Sequence, residues 1–214
     1  TNKHHGEQYD SPAEKRVYYF EDQRSYHTLK TGWVHDEGHW YYLQKDGGFD
    51  SRINRLTVGE LARGWVKDFP LTYDEDKLKA APWYYLDPTT AIMQTGWQYL
   101  GNKWYYLRSS GAMATGWYQD GSTWYYLDAQ NGDMKTGWAS INGYWYYLRS
   151  SGAMATGWLQ DGSTWYYLNA SNGDMKTGWF QVNGKWYYAY SSGALAVSTT
   201  VDGYSLNYNG EWVK

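Results

Sequence analysis

Apolar and polar residues alternate in short runs along most of this chain, and the runs return at a fixed distance. Thr-Gly-Trp is followed by a polar turn, by Trp-Tyr-Tyr-Leu and by a second turn containing Gly, and the order then repeats. The tryptophans of the Gly-Trp pairs are 20 or 21 residues apart, at Trp97, Trp117, Trp138, Trp158 and Trp179. A period of about 20 to 50 residues indicates an array of stacked copies of one supersecondary unit.

Each copy predicts a β-hairpin made of a Gly-Trp strand and a Trp-Tyr-Tyr-Leu strand. The turns between them carry Asp-Gly or Asn-Gly, at Asp120-Gly121, Asn142-Gly143, Asp161-Gly162 and Asn183-Gly184. These dipeptides favour positive φ at both turn centres and are the strongest short-range hairpin signal. Because a single hairpin is marginal in water, neighbouring hairpins must stack. The predicted fold class is all-β, a solenoid of stacked β-hairpins with one or two short helical insertions.

The first part of the chain departs from this period. Trp33 and Trp40 keep the regular spacing, but insertions of about eleven residues separate Trp40 from Trp65 and Trp65 from Trp83. Each insertion contains a capping-box signature, which predicts a helical turn or two. The signatures are Thr57-x-x-Glu60 and Thr72-x-x-Glu75, and the second is followed by a stop at Pro82.

These patterns divide the chain into four predicted segments. Residues 1–16 carry no pattern and are predicted to be disordered or frayed. Residues 17–82 hold degenerate repeats, beginning with Val17-Tyr18-Tyr19-Phe20, and contain the two insertions. Residues 83–192 hold the regular repeats, and residues 193–214 form a C-terminal capping hairpin.

The amino-acid composition argues against nucleic-acid binding and membrane spanning as functions of this chain. The chain has 15 Trp and 25 Tyr but 4 Phe, so its rings are mostly those with a polar edge that tolerate partial exposure. A net charge of −3 provides no basic field for nucleic acid, and no apolar run reaches the length of a membrane span. There is no cysteine, so stability must come from stacking. The chain begins without Met or a signal peptide, which we interpret as a mature or trimmed secreted protein.

The aromatic residues are the candidate chemistry. The first and third rings of each Trp-Tyr-Tyr share one strand face, and together with the Gly-Trp indole they can form a box where two hairpins meet. Three ring faces suit a quaternary ammonium ion, which offers no hydrogen-bond donor. The middle tyrosines are interpreted as structural: Tyr105, Tyr125, Tyr146, Tyr166 and Tyr187. The methionines lie four residues before a Gly-Trp tryptophan, and Leu195 takes that place in the last unit. They suit both gap filling and the floor of a pocket.

The string from Thr115 to Met134 resembles the choline-binding repeats of pneumococcal surface proteins. The C-terminal residues 193–204 and 209–213 are also similar to the ends of such proteins. The resemblance is strong over residues 83–213 and fair over 17–50. It implies a left-handed β-solenoid in which choline is bound between neighbours. Each site takes the Gly-Trp tryptophan and the first aromatic residue of one repeat, and a tyrosine of the next.

Transferred to this chain, the resemblance implies six sites. Four lie in the regular repeats, formed by Trp97, Trp104 and Tyr126; by Trp117, Trp124 and Tyr147; by Trp138, Trp145 and Tyr167; and by Trp158, Trp165 and Tyr188. Two more lie beside the insertions, formed by Trp33, Trp40 and Tyr85, and by Trp65, Trp83 and Tyr106. The methionines assigned to the sites are Met113, Met134, Met154 and Met175. The middle tyrosine of the next repeat is the alternative third ring, and Trp179 and Trp186 lack a clear third ring.

The resulting prediction is a non-catalytic, secreted protein attached non-covalently to the bacterial cell wall. Its partner is the choline or phosphocholine of teichoic and lipoteichoic acids, with no cofactor and no metal. A host or bacterial protein is a further predicted partner of residues 50–82, through exposed Phe69, Leu71 and Tyr73. The alternatives are a glucan-binding or other carbohydrate-binding repeat module, and the wall-anchoring fragment of a larger cell-wall hydrolase. The run from His35 to His39 is interpreted as a polar turn rather than a metal or acid–base site.

Overall fold

The computed structural model describes residues 8–11, 14–17, 20–21, 28–29, 31–45, 59–70 and 74–214. These residues are built mostly from β-hairpins and include one short helix. The predicted all-β class of stacked hairpins is confirmed. The chain divides into two compact units, unit 1 (Thr1–Ala114) and unit 2 (Thr115–Lys214).

Unit 1 contains ten strands among its described residues, all in antiparallel pairs. Two short pairs come first, β1 (Gln8–Ser11) with β2 (Glu14–Val17), and β3 (Phe20–Glu21) with β4 (Thr28–Leu29). Three hairpins with the repeat motif follow. They are β5 (Gly32–Asp36) with β6 (His39–Leu43), β7 (Gly64–Lys67) with β8 (Trp83–Leu86), and β9 (Gly96–Leu100) with β10 (Lys103–Leu107).

Unit 2 continues the motif with four hairpins and ends in a small sheet. The hairpins are β11 (Gly116–Asp120) with β12 (Thr123–Leu127), β13 (Gly137–Ile141) with β14 (Tyr144–Leu148), β15 (Gly157–Asp161) with β16 (Thr164–Leu168), and β17 (Gly178–Val182) with β18 (Lys185–Ala189). The final sheet has the order β19 (Thr199–Val201), β20 (Tyr204–Leu206) and β21 (Trp212–Val213). The C-terminal segment is thus a hairpin with a third strand added.

Two kinds of turn close the regular hairpins. At Asn142-Gly143 both residues have positive φ, +52° and +84°, as the sequence predicts. Asp161 pairs with Thr164 instead, so the turn centres are Gly162 and Ser163. Of these two only the glycine has positive φ, at +60°. The predicted double positive turn is therefore wrong for Asp161-Gly162, and also for Asp120-Gly121, because glycine first and serine second fit a type II′ turn.

The last leucine of each Trp-Tyr-Tyr-Leu is the core residue of its hairpin. These leucines are completely buried: Leu43, Leu86, Leu107, Leu127, Leu148 and Leu168. The connection after each hairpin then pairs back onto the preceding one. For example, the Met154 amide donates to the Trp124 carbonyl at 2.7 Å, and the Met175 amide donates to the Trp145 carbonyl at 2.8 Å. Stacking therefore satisfies backbone groups as well as burying apolar surface.

The methionine side chains fill gaps between connections. A Cβ on Gly152 would lie 2.2 Å from Met134 Sδ, and Gly152 also has a φ of +83°. The same arrangement recurs between Met154 and Gly173. The gap-filling interpretation of these methionines is confirmed, because the thioether occupies the place of the missing side chain.

The second insertion forms the predicted helix, α1 (Glu75–Ala80), which ends before Pro82. Its N-cap is Asp74, whose carboxylate accepts from the amides of Asp76 and Lys77 at 3.1 and 3.3 Å. The predicted capping residue Thr72 lies outside the described residues. An Asp at the N-cap satisfies the same orphan amides.

The first insertion ends in extended chain where the sequence predicts a helical turn. Leu61 forms an antiparallel bridge with Leu43, and the Gln44 amide donates to the Glu60 carbonyl at 3.0 Å. The helical turn that the Thr57-x-x-Glu60 signature predicts is absent at residues 59–61, because Leu61 takes the bridging place of the methionine in the regular repeats. Thr57 lies outside the described residues.

The disorder or fraying that the sequence predicts over residues 1–16 stays a prediction. In the described residues of this segment, Gln8–Ser11 pairs with Glu14–Val17. Their residues alternate too little in hydropathy to reveal these strands.

Candidate functional site

Each regular hairpin has two different faces. In the hairpin of β11 and β12, Trp117 lies opposite Tyr126 and Gln119 lies opposite Trp124. Since side chains alternate, these four share one face, and Tyr125 with its partner occupies the other. One face therefore carries both indoles, and the opposite face carries the middle tyrosine.

Stacking brings the indole face of one hairpin against the middle tyrosine of the next. The Trp117 ring lies 4.8 Å from the Tyr146 ring of the next hairpin, between centroids. It also lies 5.1 Å from Tyr126 and 6.4 Å from Trp124, whose ring is nearly perpendicular at 85°. We call the two indoles of one hairpin and the middle tyrosine of the next an aromatic cage.

The full geometry recurs around Trp158, and the contact between a Gly-Trp indole and the next middle tyrosine recurs around Trp138. Trp158 lies 6.4 Å from Trp165 and 4.9 Å from Tyr187. Trp138 lies 4.7 Å from Tyr166. The repeated sequence thus builds repeated cages, each on a pair of adjacent hairpins.

In these cages the ring nearest the Gly-Trp indole from the next hairpin is its middle tyrosine, the alternative third ring of the sequence analysis. Tyr147, assigned to Trp117, lies 5.2 Å from Trp138 of its own hairpin, and Tyr167 lies 4.9 Å from Trp158 of its own. Tyr188 likewise lies 5.2 Å from Trp179. The reason is the strand alternation: a ring on the same face as its own Gly-Trp points toward the following hairpin. Which of these residues bind a ligand stays a prediction.

Unit 1 repeats the contact between indole and middle tyrosine beside the insertions. Trp33 lies 4.5 Å from Tyr84, and Trp65 lies 5.0 Å from Tyr105, so the middle tyrosine is again the third ring. The assigned tyrosines Tyr85 and Tyr106 lie 5.2 Å from Trp65 and Trp97 of their own hairpins.

The remaining assigned site draws on both units. Trp97 and Trp104 lie 6.5 Å apart in unit 1 at an angle of 81°, like the other cage indoles. Tyr126 belongs to unit 2. This grouping therefore stays a prediction.

The last Gly-Trp indole has a third ring that the sequence analysis missed. Trp179 lies 5.5 Å from Tyr204 in the C-terminal sheet, at 80°. The expectation that Trp179 lacks such a ring is wrong. Tyr204 directly follows the Asp202-Gly203 turn, and this tyrosine beside a turn signal is what could have indicated it.

The cages are open to solvent on one side. The first tryptophan of each Trp-Tyr-Tyr is exposed by 38 to 47% even though neighbouring leucines are fully buried. These residues are Trp40, Trp83, Trp104, Trp124, Trp145, Trp165 and Trp186. Exposed indoles on a folded array leave part of their π faces open to solvent rather than to the core.

A carboxylate holds some of the cage indoles. Trp138 Nε1 donates to Asp161 at 2.9 Å, and Trp179 Nε1 donates to Asp202 at 3.0 Å. The residue three positions after each Gly-Trp tryptophan alternates between aliphatic and acidic, as Leu100, Asp120, Ile141, Asp161 and Val182. The sequence analysis missed these aspartates, although this alternation is visible in the chain.

In unit 1 the corresponding carboxylate is Asp68. It accepts from Trp33 Nε1 at 3.1 Å, from the Tyr42 hydroxyl at 3.0 Å and from Lys45 Nζ at 2.7 Å. Burial alone would raise the pKa of Asp68, but these three donors together lower it. Burial and the Asp68 charge raise the pKa of Tyr42. The network fixes Trp33 and offsets the carboxylate charge with an ammonium.

The histidine-containing run lies where the sequence places it, on the turn between β5 and β6. Glu37 and Gly38 form the turn with φ of +47° and +83°, and the His35 ring lies 4.8 Å from the Trp40 ring at an angle of 51°. Within the described ranges, no group of three or more His, Cys, Asp or Glu side chains is arranged to hold a metal ion. No helix in the same ranges combines the length and apolarity needed to cross a membrane.

Comparison with protein families gives two matches. The family described as choline-binding repeat matches residues 94–136 and 135–180. The family described as putative cell wall binding repeat matches residues 31–49 and 177–195. A comparison with curated proteins gives no match.

Several solved structures are similar. CbpJ from Streptococcus pneumoniae TIGR4 is 68% identical with a TM-score of 0.80, covering 94% of this chain and 63% of that one. CbpF in complex with ipratropium is 65% identical with a TM-score of 0.84, covering 97% and 66%. The choline-binding domain of CbpL from Streptococcus pneumoniae is 33% identical with a TM-score of 0.52, covering 86% and 98%. The chain therefore spans roughly two thirds of the length of CbpJ and CbpF.

Proposed function

Because this chain belongs to the choline-binding repeat family, we propose that its aromatic cages bind choline. The observation that carries the proposal is the cage around Trp117. A nearly perpendicular indole lies 6.4 Å from Trp117 and a tyrosine lies 4.8 Å from it, Trp124 is partly exposed to solvent, and the group recurs around Trp158. A quaternary ammonium ion is attracted by ring faces within about 6 Å and needs no hydrogen-bond acceptor.

The natural ligand in this proposal is the phosphocholine of teichoic and lipoteichoic acids. The chain then sits on the bacterial cell wall, held non-covalently after secretion. Each ring contributes about 0.5–2 kcal/mol to binding of the cation, and ordering costs offset part of this. A single cage is therefore weak, on the order of millimolar, and firm attachment requires several cages on one polymer.

A choline titration followed by indole resonances tests the proposal. With 5-fluorotryptophan incorporated, the resonances of Trp117, Trp124, Trp158 and Trp165, assigned from single Phe variants, are expected to shift together at millimolar choline. Tyr146→Ala should selectively weaken the response of Trp117 and Trp124. Tyr208→Ala is the matched control, since Tyr208 is 78% exposed and lies outside the cages. If no cage indole responds to choline, the proposal is wrong.

The carbohydrate alternative is separated by competition. Sugar recognition needs rings together with many hydrogen-bonding side chains, whereas the cages consist mainly of ring faces. The protein bound to a resin bearing quaternary amines should be released by free choline and retained in soluble glucan. Release by glucan alone would favour the carbohydrate-binding alternative.

Activities beyond wall binding are separate proposals. CbpJ and CbpF extend further than this chain, so joining to a cell-wall hydrolase stays an alternative for the whole protein. A protein partner of residues 50–82 also stays a proposal. Phe69 is 48% exposed, as expected for a contact surface, whereas Leu71 and Tyr73 lie outside the described residues. Binding to a host-cell surface that is lost in Phe69→Ser, with the choline response of Trp117 and Trp124 unchanged, would support it, and equal binding would refute it.

A further inference from the structure

One cage already has a cation of the chain itself over its exposed tryptophan. Lys67 lies directly opposite Trp83 in the pairing of β7 and β8. Its Nζ is 5.7 Å from the centroid of the Trp83 ring and 5.3 Å from that of Phe69. It also donates to the Lys79 carbonyl at 3.1 Å. The ammonium therefore has two ring faces and a carbonyl oxygen as neighbours.

The regular repeats carry no cation at this position. The residues opposite the exposed tryptophans of unit 2 are Gln119, Ser140, Gln160 and Gln181. Lys67 is thus a local departure from the repeat, and it occurs beside the insertion that contains α1.

The insertion supplies what holds this side chain. The Lys79 carbonyl lies in the last turn of α1, where unpaired carbonyls and the helix dipole favour a positive charge. Phe69 lies at the start of the same insertion. The Lys79 carbonyl of the helix and the Phe69 ring together hold the Lys67 ammonium at Trp83. These contacts offset the entropy lost when the Lys67 side chain is ordered.

We propose that Lys67 is a built-in ammonium that competes with choline at the cage of Trp65, Trp83 and Tyr105. This inference rests on the proposed choline-binding function and adds that the cages are not equivalent. Choline entering here must displace Lys67 from the Trp83 face or share the cage with a second positive charge. Both outcomes weaken its binding relative to the cage of Trp117, Trp124 and Tyr146.

Fluorine resonances of the individual tryptophans test this in the full chain. With 5-fluorotryptophan incorporated, the Trp83 and Trp124 signals are assigned from Trp83→Phe and Trp124→Phe, and choline is titrated. In the unaltered chain, Trp83 should need about ten-fold more choline than Trp124 for a half-maximal shift. Lys67→Gln, which copies the regular repeats, should bring the two midpoints together.

Three further variants separate the effect of the Lys67 charge from other effects of substitution. Lys67→Arg keeps the charge and should keep the weak response of Trp83, whereas Lys67→Met keeps the stem without charge and should strengthen it. Lys77→Gln removes an exposed lysine of α1 that pairs with Asp74 and should leave the response weak. Crystals of the unaltered chain soaked in choline should show density at Trp117 before density at Trp83.

The outcomes distinguish competition by Lys67 from the proposed binding of choline by the cages. Equal midpoints for Trp83 and Trp124 in the unaltered chain overturn the role of Lys67 and leave choline binding standing. An unchanged weak response in both Lys67→Gln and Lys67→Met, with thermal unfolding intact, overturns it as well. Absence of any choline response at Trp124 refutes the proposed function itself.

Discussion

At the scale of single residues, the carboxylate bonded to a cage indole changes the charge that a bound cation meets. Asp161 holds the Nε1 of Trp138, whereas the corresponding residue beside Trp117 is the aliphatic Ile141. A hydrogen bond to a charged acceptor also fixes the ring orientation more firmly than a neutral contact. Two kinds of cage thus alternate on one scaffold, with and without a carboxylate.

This alternation leads to a prediction for Asp161→Asn. The amide can still accept from Trp138 Nε1, so the ring stays in place while the charge is lost. At about 6 Å in a water-like dielectric the lost attraction is about 0.7 kcal/mol, or about three-fold in choline affinity at that cage. Indole resonances measure it, and the Trp117 cage in the same protein is the control. An equal loss at both cages would contradict a local charge effect.

Because the pKa of Asp68 is lowered by folding, we expect the stability of unit 1 to decrease at acid pH. Its pKa in the folded chain is lowered below the ordinary value of 3.8 by Lys45, Tyr42 and Trp33, against the opposing effect of burial. A lowered pKa contributes stability that is present above the unfolded value and is lost as pH falls through the folded value. The stability advantage over Asp68→Asn should therefore shrink below about pH 3.8. Thermal unfolding measures it, with Glu37→Gln as a surface control; an advantage independent of pH would contradict it.

At the scale of the hairpin and its connection, glycine and methionine form one packing unit. Gly152 has a φ of +83° and lies against the Met134 sulfur, whereas Gly157 has a similar φ of +74° with open space around its Cβ position. The two glycines share the backbone requirement and differ in the neighbour. They therefore form a matched pair for separating backbone strain from packing.

The pair gives a stability prediction. Gly157→Ala should lower the free energy of unfolding by about 1–2 kcal/mol, because an L residue is strained at positive φ. Gly152→Ala should cost more, about 2–4 kcal/mol, because Met134 must also move. Denaturant unfolding measures both. The extra cost should be reduced in the combination of Gly152→Ala with Met134→Ala, and equal costs for the two alanines would contradict the packing argument.

The same scale shows what the sequence could predict. The repeat period and the alternation along Trp124 and Tyr126 were sufficient to predict the hairpins and the face that carries both indoles. The sequence left two tyrosines open as the third ring, because the choice depends on which face of the next hairpin turns toward the preceding one. The contacts of Lys67 and Asp161 could not be predicted from the repeat motif, because the fold brings their partners, Lys79 and Trp138, to them.

At the scale of the whole molecule, the repeats multiply one weak interaction. Both units carry cages, such as those around Trp65 in unit 1 and around Trp117 and Trp158 in unit 2. In the proposed function, several cages bind successive phosphocholines of one polymer, and each further contact is intramolecular. Retention on the wall should then depend steeply on the number of working cages and little on any one of them.

Removing cages one at a time tests this mechanism. Trp145→Ala should remove one cage and lower the choline concentration that elutes the protein from purified cell walls by about three- to ten-fold without detaching it. Adding Trp165→Ala should lower that concentration by a further similar factor, because each lost cage removes one intramolecular contact. Tyr208→Ala, which changes an exposed ring outside the cages, should elute like the unaltered chain. Complete release by Trp145→Ala alone, with thermal unfolding unchanged, would show that one dominant site rather than an array holds the protein to the wall.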